Sequence, residues 1–129
     1  MEPALRAALI SWLAADTALA AQLNSVTEEA PAKAALPWLA IATSASIDWS
    51  MKERDGREIR IALELHCRGD RSDTAANLVR TIESRIAALP TAQDGFELAS
   101  CQFLRARAEQ RPGNVRAILT EYRFRILAA

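Results

Sequence analysis

The stretch WLAIATSASIDWSMKERDGREIRIALELHC, residues 38–67, decides the fold. In its first half Leu39, Ile41, Thr43, Ala45, Ile47 and Trp49 share one face of an extended chain. In its second half Ile59, Ile61, Leu63, Leu65 and Cys67 do the same, with Glu58, Arg60, Glu64 and His66 opposite. A period of two with one dry face marks two neighbouring antiparallel strands. Their connection is read from parity. A two-residue turn at Asp55-Gly56 would pair odd with even positions and send the two apolar sets to opposite faces. A three-residue loop, Arg54-Asp55-Gly56, pairs odd with odd and places Gly56 at the left-handed position such loops need. The expectation is therefore the longer loop, with Trp49 opposite Ile61.

Towards the N-terminus, Pro3 stands where a first helical turn tolerates proline. Leu5, Leu9, Trp12 and Leu13 then recur at helical spacing, which predicts a helix over residues 3–15. Asp16 is placed to cap a short second helix, Thr17 to Leu23. Residues 24–37 hold Pro31, Pro37 and Glu28-Glu29 and read as a loop with a short extended piece near Val26.

Towards the C-terminus, Gly69 and Asp70 end the second strand. Asp70, Ser72 and Asp73 offer capping side chains and negative charge for a helix start. The stripe Ala75, Leu78, Val79, Ile82, Ile86 and Leu89 predicts a helix that Pro90 stops. A third strand is expected from about Phe96 to Ala108, with a bulge where the apolar phase slips from Phe96 and Leu98 to Cys101 and Phe103. Arg111-Pro112-Gly113-Asn114 fits a type II turn. A fourth strand follows, with Ile118, Tyr122, Phe124 and Ile126 on one face. The order is helix, helix, strand, strand, helix, strand, strand. The expected fold class is α+β: a mainly antiparallel sheet of four to five strands with helices packed on one face. The length suits a single domain over residues 1–129.

Charge and chemistry narrow the function by subtraction. Basic and acidic residues balance at 16 each, which disfavours a protein that holds nucleic acid by bulk charge. Cys67 and Cys101 show neither CxxC spacing nor a disulfide framework, so synthesis in a reducing cytoplasm is expected. The start of the chain lacks a signal-peptide pattern, and no apolar run suits a membrane span. All four glycines fall at joints between elements, so no phosphate-cradling loop and no nucleotide cofactor is expected. His66, the one histidine, cannot share a metal ion with Cys67, because adjacent strand residues point to opposite faces. Cys67 reads as core and His66 as a surface residue. Ser44, Ser46 and Ser50 lie on the polar side of the neighbouring strand, without the strand-turn-helix elbow of a nucleophilic serine. The carboxylates Glu28-Glu29, Glu53-Asp55 and Glu58-Glu64 read as solvated or cross-strand paired. No catalytic residue, metal or cofactor is assigned, and the expectation is that the protein is not an enzyme.

Two places read as surfaces instead. The tip from Ile47 to Arg57 sets Trp49 and Met51 among Lys52, Glu53, Arg54, Asp55 and Arg57, a composition typical of protein interfaces. Trp49 folding back over the sheet edge is the competing reading. The last hairpin gathers Arg105, Arg107, Arg116, Arg123 and Arg125, but Glu97, Glu109 and Glu121 interleave with them and no base-stacking aromatics accompany them. That hairpin reads as an ion-paired face. Trp49, Met51, Lys52, Arg54 and Arg57, with Arg111 and Asn114 at the far turn, form the candidate subunit interface.

The layout resembles the tail-completion or tail-terminator family of long-tailed phages and of gene transfer agents. The segments that carry the likeness are EPALRAALISWLAAD with TALAAQL, then LPWLAI, then DGREIRIALELHCRGD, the helix AANLVRTIESRIAAL, and FELASCQFLRARAEQRPGNVRAILTEYRFRI. The chain departs from the family at His66-Cys67-Arg68, where an aromatic is usual. The resemblance implies no catalytic residues. It implies a structural ring, six-fold in the particle and monomeric when free, that terminates the tail tube and joins it to the head connector. Its implied partners are further copies of the chain, the major tail tube protein and the head connector or stopper, with DNA passing through only as cargo and no membrane. Assembly would take place in the bacterial cytoplasm. Other head–tail components, a stopper or a tube protein, or a small α+β hydrolase or ligand-binding domain, are the alternatives.

Overall fold

The computed structural model describes residues Met1–Ala129. Helix α1 spans Glu2–Ala14 and α2 spans Thr17–Gln22. Strand β1 is Ser25–Thr27, β2 Trp38–Asp48 and β3 Gly56–Arg68. Helix α3 is Ser72–Ala87, β4 Phe96–Arg111 and β5 Val115–Ala128. The five strands form one sheet in the order β1-β2-β3-β5-β4. Every neighbouring pair is antiparallel except β1 and β2, which run parallel. The expected α+β class therefore holds, with the correction that the sheet is mixed. The extended piece near Val26 is the parallel edge strand.

The helices form where the spacing required. Leu5, Leu9 and Leu13 of α1 stand four apart and are all fully buried. The Asp16 carboxylate accepts from the Leu19 backbone N–H at 3.0 Å, the cap anticipated for α2. Helix α3 buries Ala75, Leu78, Ile82 and Ile86. They meet Ile59, Ile61, Leu63 and Leu65 of β3 and Ile118, Phe124 and Ile126 of β5 in one core. Each such aliphatic side chain contributes about 1.5–3 kcal/mol through burial. Helix α3 starts earlier than its apolar stripe, and the expected capping by Asp70, Ser72 and Asp73 is not made. The N-cap is Arg71, and no side chain caps it. Docking against α1 supports the helix instead. Trp12 Nε1 donates to the Arg85 carbonyl at 2.6 Å, Arg85 Nε donates to the Trp12 carbonyl at 2.8 Å, and the guanidinium sits 3.3 Å from the indole centroid.

The first hairpin corrects the parity argument. The β2–β3 pairing shifts register between Ile41 and Thr43, leaving Ala42 as an extra residue. Ile41 faces Leu63, odd with odd, whereas Thr43 faces Ala62 and Ser44 faces Ile61. Leu39 and Ile41 thus point to the core while Ala45 and Ile47 turn to the other, helix-free face, and Ile47 is 60% exposed. The three-residue loop Arg54-Asp55-Gly56 does not form, and Trp49 is not opposite Ile61. Parity assumed an unbroken ladder, and one bulge inverts every side chain beyond it. In β4 the anticipated slip is present, with shifts between Leu98 and Ser100 and again between Phe103 and Arg105.

Candidate assembly interface

The connection from β2 to β3 runs through Trp49–Asp55. Trp49 N–H donates to the Gly56 carbonyl at 3.0 Å, and Met51 N–H to the Arg54 carbonyl at 2.8 Å, so the turn centres on Lys52 and Glu53. Gly56 is required by close approach and not by a left-handed backbone. A Cβ there would lie 2.5 Å from the Trp49 carbonyl oxygen and 2.9 Å from Leu127 Cδ2. The tip is laced to the end of β5. Arg54 donates twice to the Ala128 carbonyl, at 3.0 and 2.7 Å, and the Asp55 carbonyl accepts from Ala128 N–H at 2.8 Å.

This geometry separates the candidate residues. Trp49 folds back, half-buried, with the Arg125 guanidinium 5.4 Å from its ring centroid. Arg54 is spent on the chain's own backbone. Met51 is 52% exposed, and Lys52 and Arg57 are also exposed. Arg111 and Asn114 lie at the opposite end of the sheet, where Arg68 pairs with Val115. Arg111 forks onto Glu109 at 2.9 and 3.2 Å, and that bond, with Arg107 nearby, holds the Glu109 carboxyl below its usual range. Asn114 has a φ of 58°, and its carbonyl accepts from Gly69 N–H at 2.8 Å. Gly113 has the positive φ, 79°, that a type II turn demands. The structure therefore does not bring the candidate residues into one patch; it sets them at two ends of the sheet.

The face of the sheet away from the helices carries charge in ladders. Glu58 takes Arg125 at 3.0 Å and Arg123 at 3.9 Å, Arg105 meets Glu121 at 3.1 Å, and Glu109 also takes Arg107 at 3.3 Å. The last hairpin is the ion-paired face expected. Mostly exposed pairs of this kind contribute about 0–1 kcal/mol each.

His66 is less exposed than a surface residue. Its ring stacks on Trp38 with centroids 4.0 Å apart, and Nε2 lies 3.1 Å from Glu64 Oε1. Sequence reading placed His66 on the correct face but had no signal for the tryptophan beside it. Cys67 points into the core, and burial raises its thiol pKa against an opposing pull from Arg116. Ser44 is nowhere near the histidine. It donates to Glu2 at 2.5 Å and accepts from Arg6 at 3.2 Å on the helix side, opposite Ile61, whereas His66 pairs with Trp38. No group of three His, Cys, Asp or Glu side chains is placed to hold a metal ion. No helix is long and apolar enough to cross a membrane.

One feature had no sequence signal. Where β4 passes α3, Glu83, Ala87, Cys101, Phe103 and Tyr122 line a small notch. Phe103 is 47% exposed there. The Tyr122 hydroxyl is buried, with the Thr120 hydroxyl its polar neighbour. Burial raises the Tyr122 pKa, with Glu83 and then Cys101 adding to it, and burial pushes the Cys101 thiol to about 11.

Residues 7–127 match the family described as tail completion protein gp17. The chain belongs to that family. A chain in a solved structure of the virion of a native gene transfer agent particle has the same fold. It superposes with a TM-score of 0.83 over 98% of this chain and 96% of that one, at 21% identity. No curated protein matches the sequence.

Proposed function

We propose that this tail completion protein is a non-enzymatic ring subunit that terminates the tail tube and joins it to the head connector. The match to the tail completion family over residues 7–127 carries this reading. The fold shared with a chain of the gene transfer agent virion supports it. Residues 1–129 act as one domain, assembled in the bacterial cytoplasm and carried in the tail of a phage or phage-like particle. Six copies close head-to-tail, because a heterologous contact that closes gives a ring and one that does not gives a filament. The two ends of the sheet then suit two different neighbours. The end with Met51, Lys52 and Arg57 and the end with Arg111 and Asn114 would meet the tube protein and the connector or stopper, with DNA passing through the hole as cargo.

Deletion of the gene followed by electron microscopy of the lysate tests the role. The expected result is heads without tails, together with tubes that run past their normal length. Normal particles with tails of correct length would refute it. Tails that stop at the correct length but fail to attach would favour a connector or stopper role.

A further inference from the structure

The sheet ends in two edges whose outward backbone groups pair with no other strand of the chain. On one side, Gln93 N–H bonds to the Phe96 carbonyl and Leu98 N–H to the Thr91 carbonyl, and no backbone bond reaches the outer edge of β4 beyond Leu98. Ala99–Arg111 therefore present a row of unpaired N–H and C=O groups. On the other side, β1 pairs only with Trp38–Ala40, and neither strand nor loop backbone bonds to the outer edge of β2 from Ile41 to Asp48. Such edges are templates for strand addition.

The two edges match in direction. Strands β2, β3, β5 and β4 are successively antiparallel, so β2 and β4 run opposite ways. Copies related by rotation about an axis along the strands keep their directions. The β4 edge of one copy then lies antiparallel to the β2 edge of the next, and every junction is the same. Charge is close to balanced on both edges. On β4, Arg105 pairs with Glu121, and Arg107 and Arg111 pair with Glu109. The outer part of β2 is flanked by Glu2, Glu28 and Asp48 against Arg6 and Arg57; Arg6 bonds Ser44, Glu2 and Glu28 together. The bulges and arginines of β4 discourage indiscriminate pairing.

A second match lies on the helix side. The notch with exposed Phe103 adjoins the β4 edge. Met1, Glu2 and Pro3 flank Ser44–Ser46 beside the β2 edge. Continuing the sheet lays that apolar and hydrogen-bonding start of α1 against the notch. We propose that copies of the chain join by adding the β2 edge of one, Ile41–Asp48, to the β4 edge of the next, Ala99–Ala106, the stretch level with it across the sheet. This rests on the ring reading and names the surface that makes the ring. The helices, each roughly 10 Å across, cover one face only and take the outer circumference. The charged, helix-free face then lines the hole.

The test uses particles made in cells whose own copy of the gene is replaced. Cys101 is changed to Ser. Ala45→Cys is then combined with Gln102→Cys, which lies level with it across the sheet, or with Arg105→Cys, the next position along that face. All three exchanged positions are exposed strand residues on the helix-free face, outside the core. After mild oxidation of purified particles, a ladder of disulfide-linked multiples of the chain is expected from at least one double variant. None is expected from the single variants. Particles with tails that yield only monomer, or the chain linked to a different protein, overturn the edge-to-edge junction and leave the ring reading standing. Failure of the ring reading itself shows separately, as normal tails after deletion of the gene.

Discussion

Gly56 is held by crowding on both sides. The Trp49 carbonyl oxygen and Leu127 Cδ2 already occupy the space a side chain would need. Gly56→Ala must push the hairpin off β5, and a loss of about 1–3 kcal/mol in urea unfolding is expected, as for other overpacked sites. His66 is a milder case. Its stack on Trp38 is worth about 0.5–1.5 kcal/mol, and its carboxylate partner Glu64 is part-exposed. His66→Ala should lower the melting temperature slightly and leave particle yield unchanged. A normally folded His66→Ala protein that yields no particles would show that the ring nitrogen has a role. Both residues were legible as types, a turn glycine and a polar-face histidine. What each touches depends on residues distant in the chain or on a neighbouring strand, beyond the reach of local spacing.

Elements are held to one another at a few identifiable places. Arg85 joins α3 to α1 by a hydrogen bond to the Trp12 carbonyl, by contact with the indole face, and by an ion pair with Asp16 at 3.8 Å. Arg85→Ala should cost about 1–3 kcal/mol. Arg85→Lys should restore little, since an ammonium has neither the planar face nor the fork; equal stability of the lysine variant and the native protein would contradict this. The seam between α3 and β3 is apolar, with Ile82 2% exposed and Leu63 fully buried. Ile82→Ala and Leu63→Ala should each cost about 2–5 kcal/mol, and unmoved melting curves for both would mean this core is wrongly drawn. Helix α3 and strand β5 were readable because each keeps one period along its length. Strand β2 does not keep one. Its bulge at Ala42 left Leu39 to Trp49 looking like a continuous alternation in the sequence, because the residues it turns to the helix side, Ser44 and Ser46, are small and polar and lie beside the start of α1.

At the scale of the whole molecule, net charge is zero while the helix-free face concentrates arginine and glutamate in pairs. Stability should be insensitive to pH through the neutral range as far as the thiols are concerned, and fall in alkali. The Cys101 thiol keeps its proton in the folded chain to about 11, whereas in the unfolded chain it ionises near the ordinary value of 9.0. The folded state thus binds more protons between those values, and stability declines as pH rises through that window. Melting followed by circular dichroism from pH 7 to 11 should show a smaller alkaline decline for Cys101→Ser than for the native chain. Identical declines would show that burial of Cys101 contributes nothing.

The sequence by itself determined the elements, their order and the faces of α1, α3, β3 and β5, because hydrophobic periodicity and turn residues act over a few neighbouring positions. It also carried the resemblance to the tail completion family that the match over residues 7–127 establishes. Only the tertiary structure decided the β2 register, the parallel pairing of β1 and the fold-back of Trp49 onto Arg125. Only the tertiary structure left the outer edges of β4 and β2 unpaired. Those outcomes depend on which backbone groups find partners across the sheet, and that is settled by contacts between residues far apart in the chain.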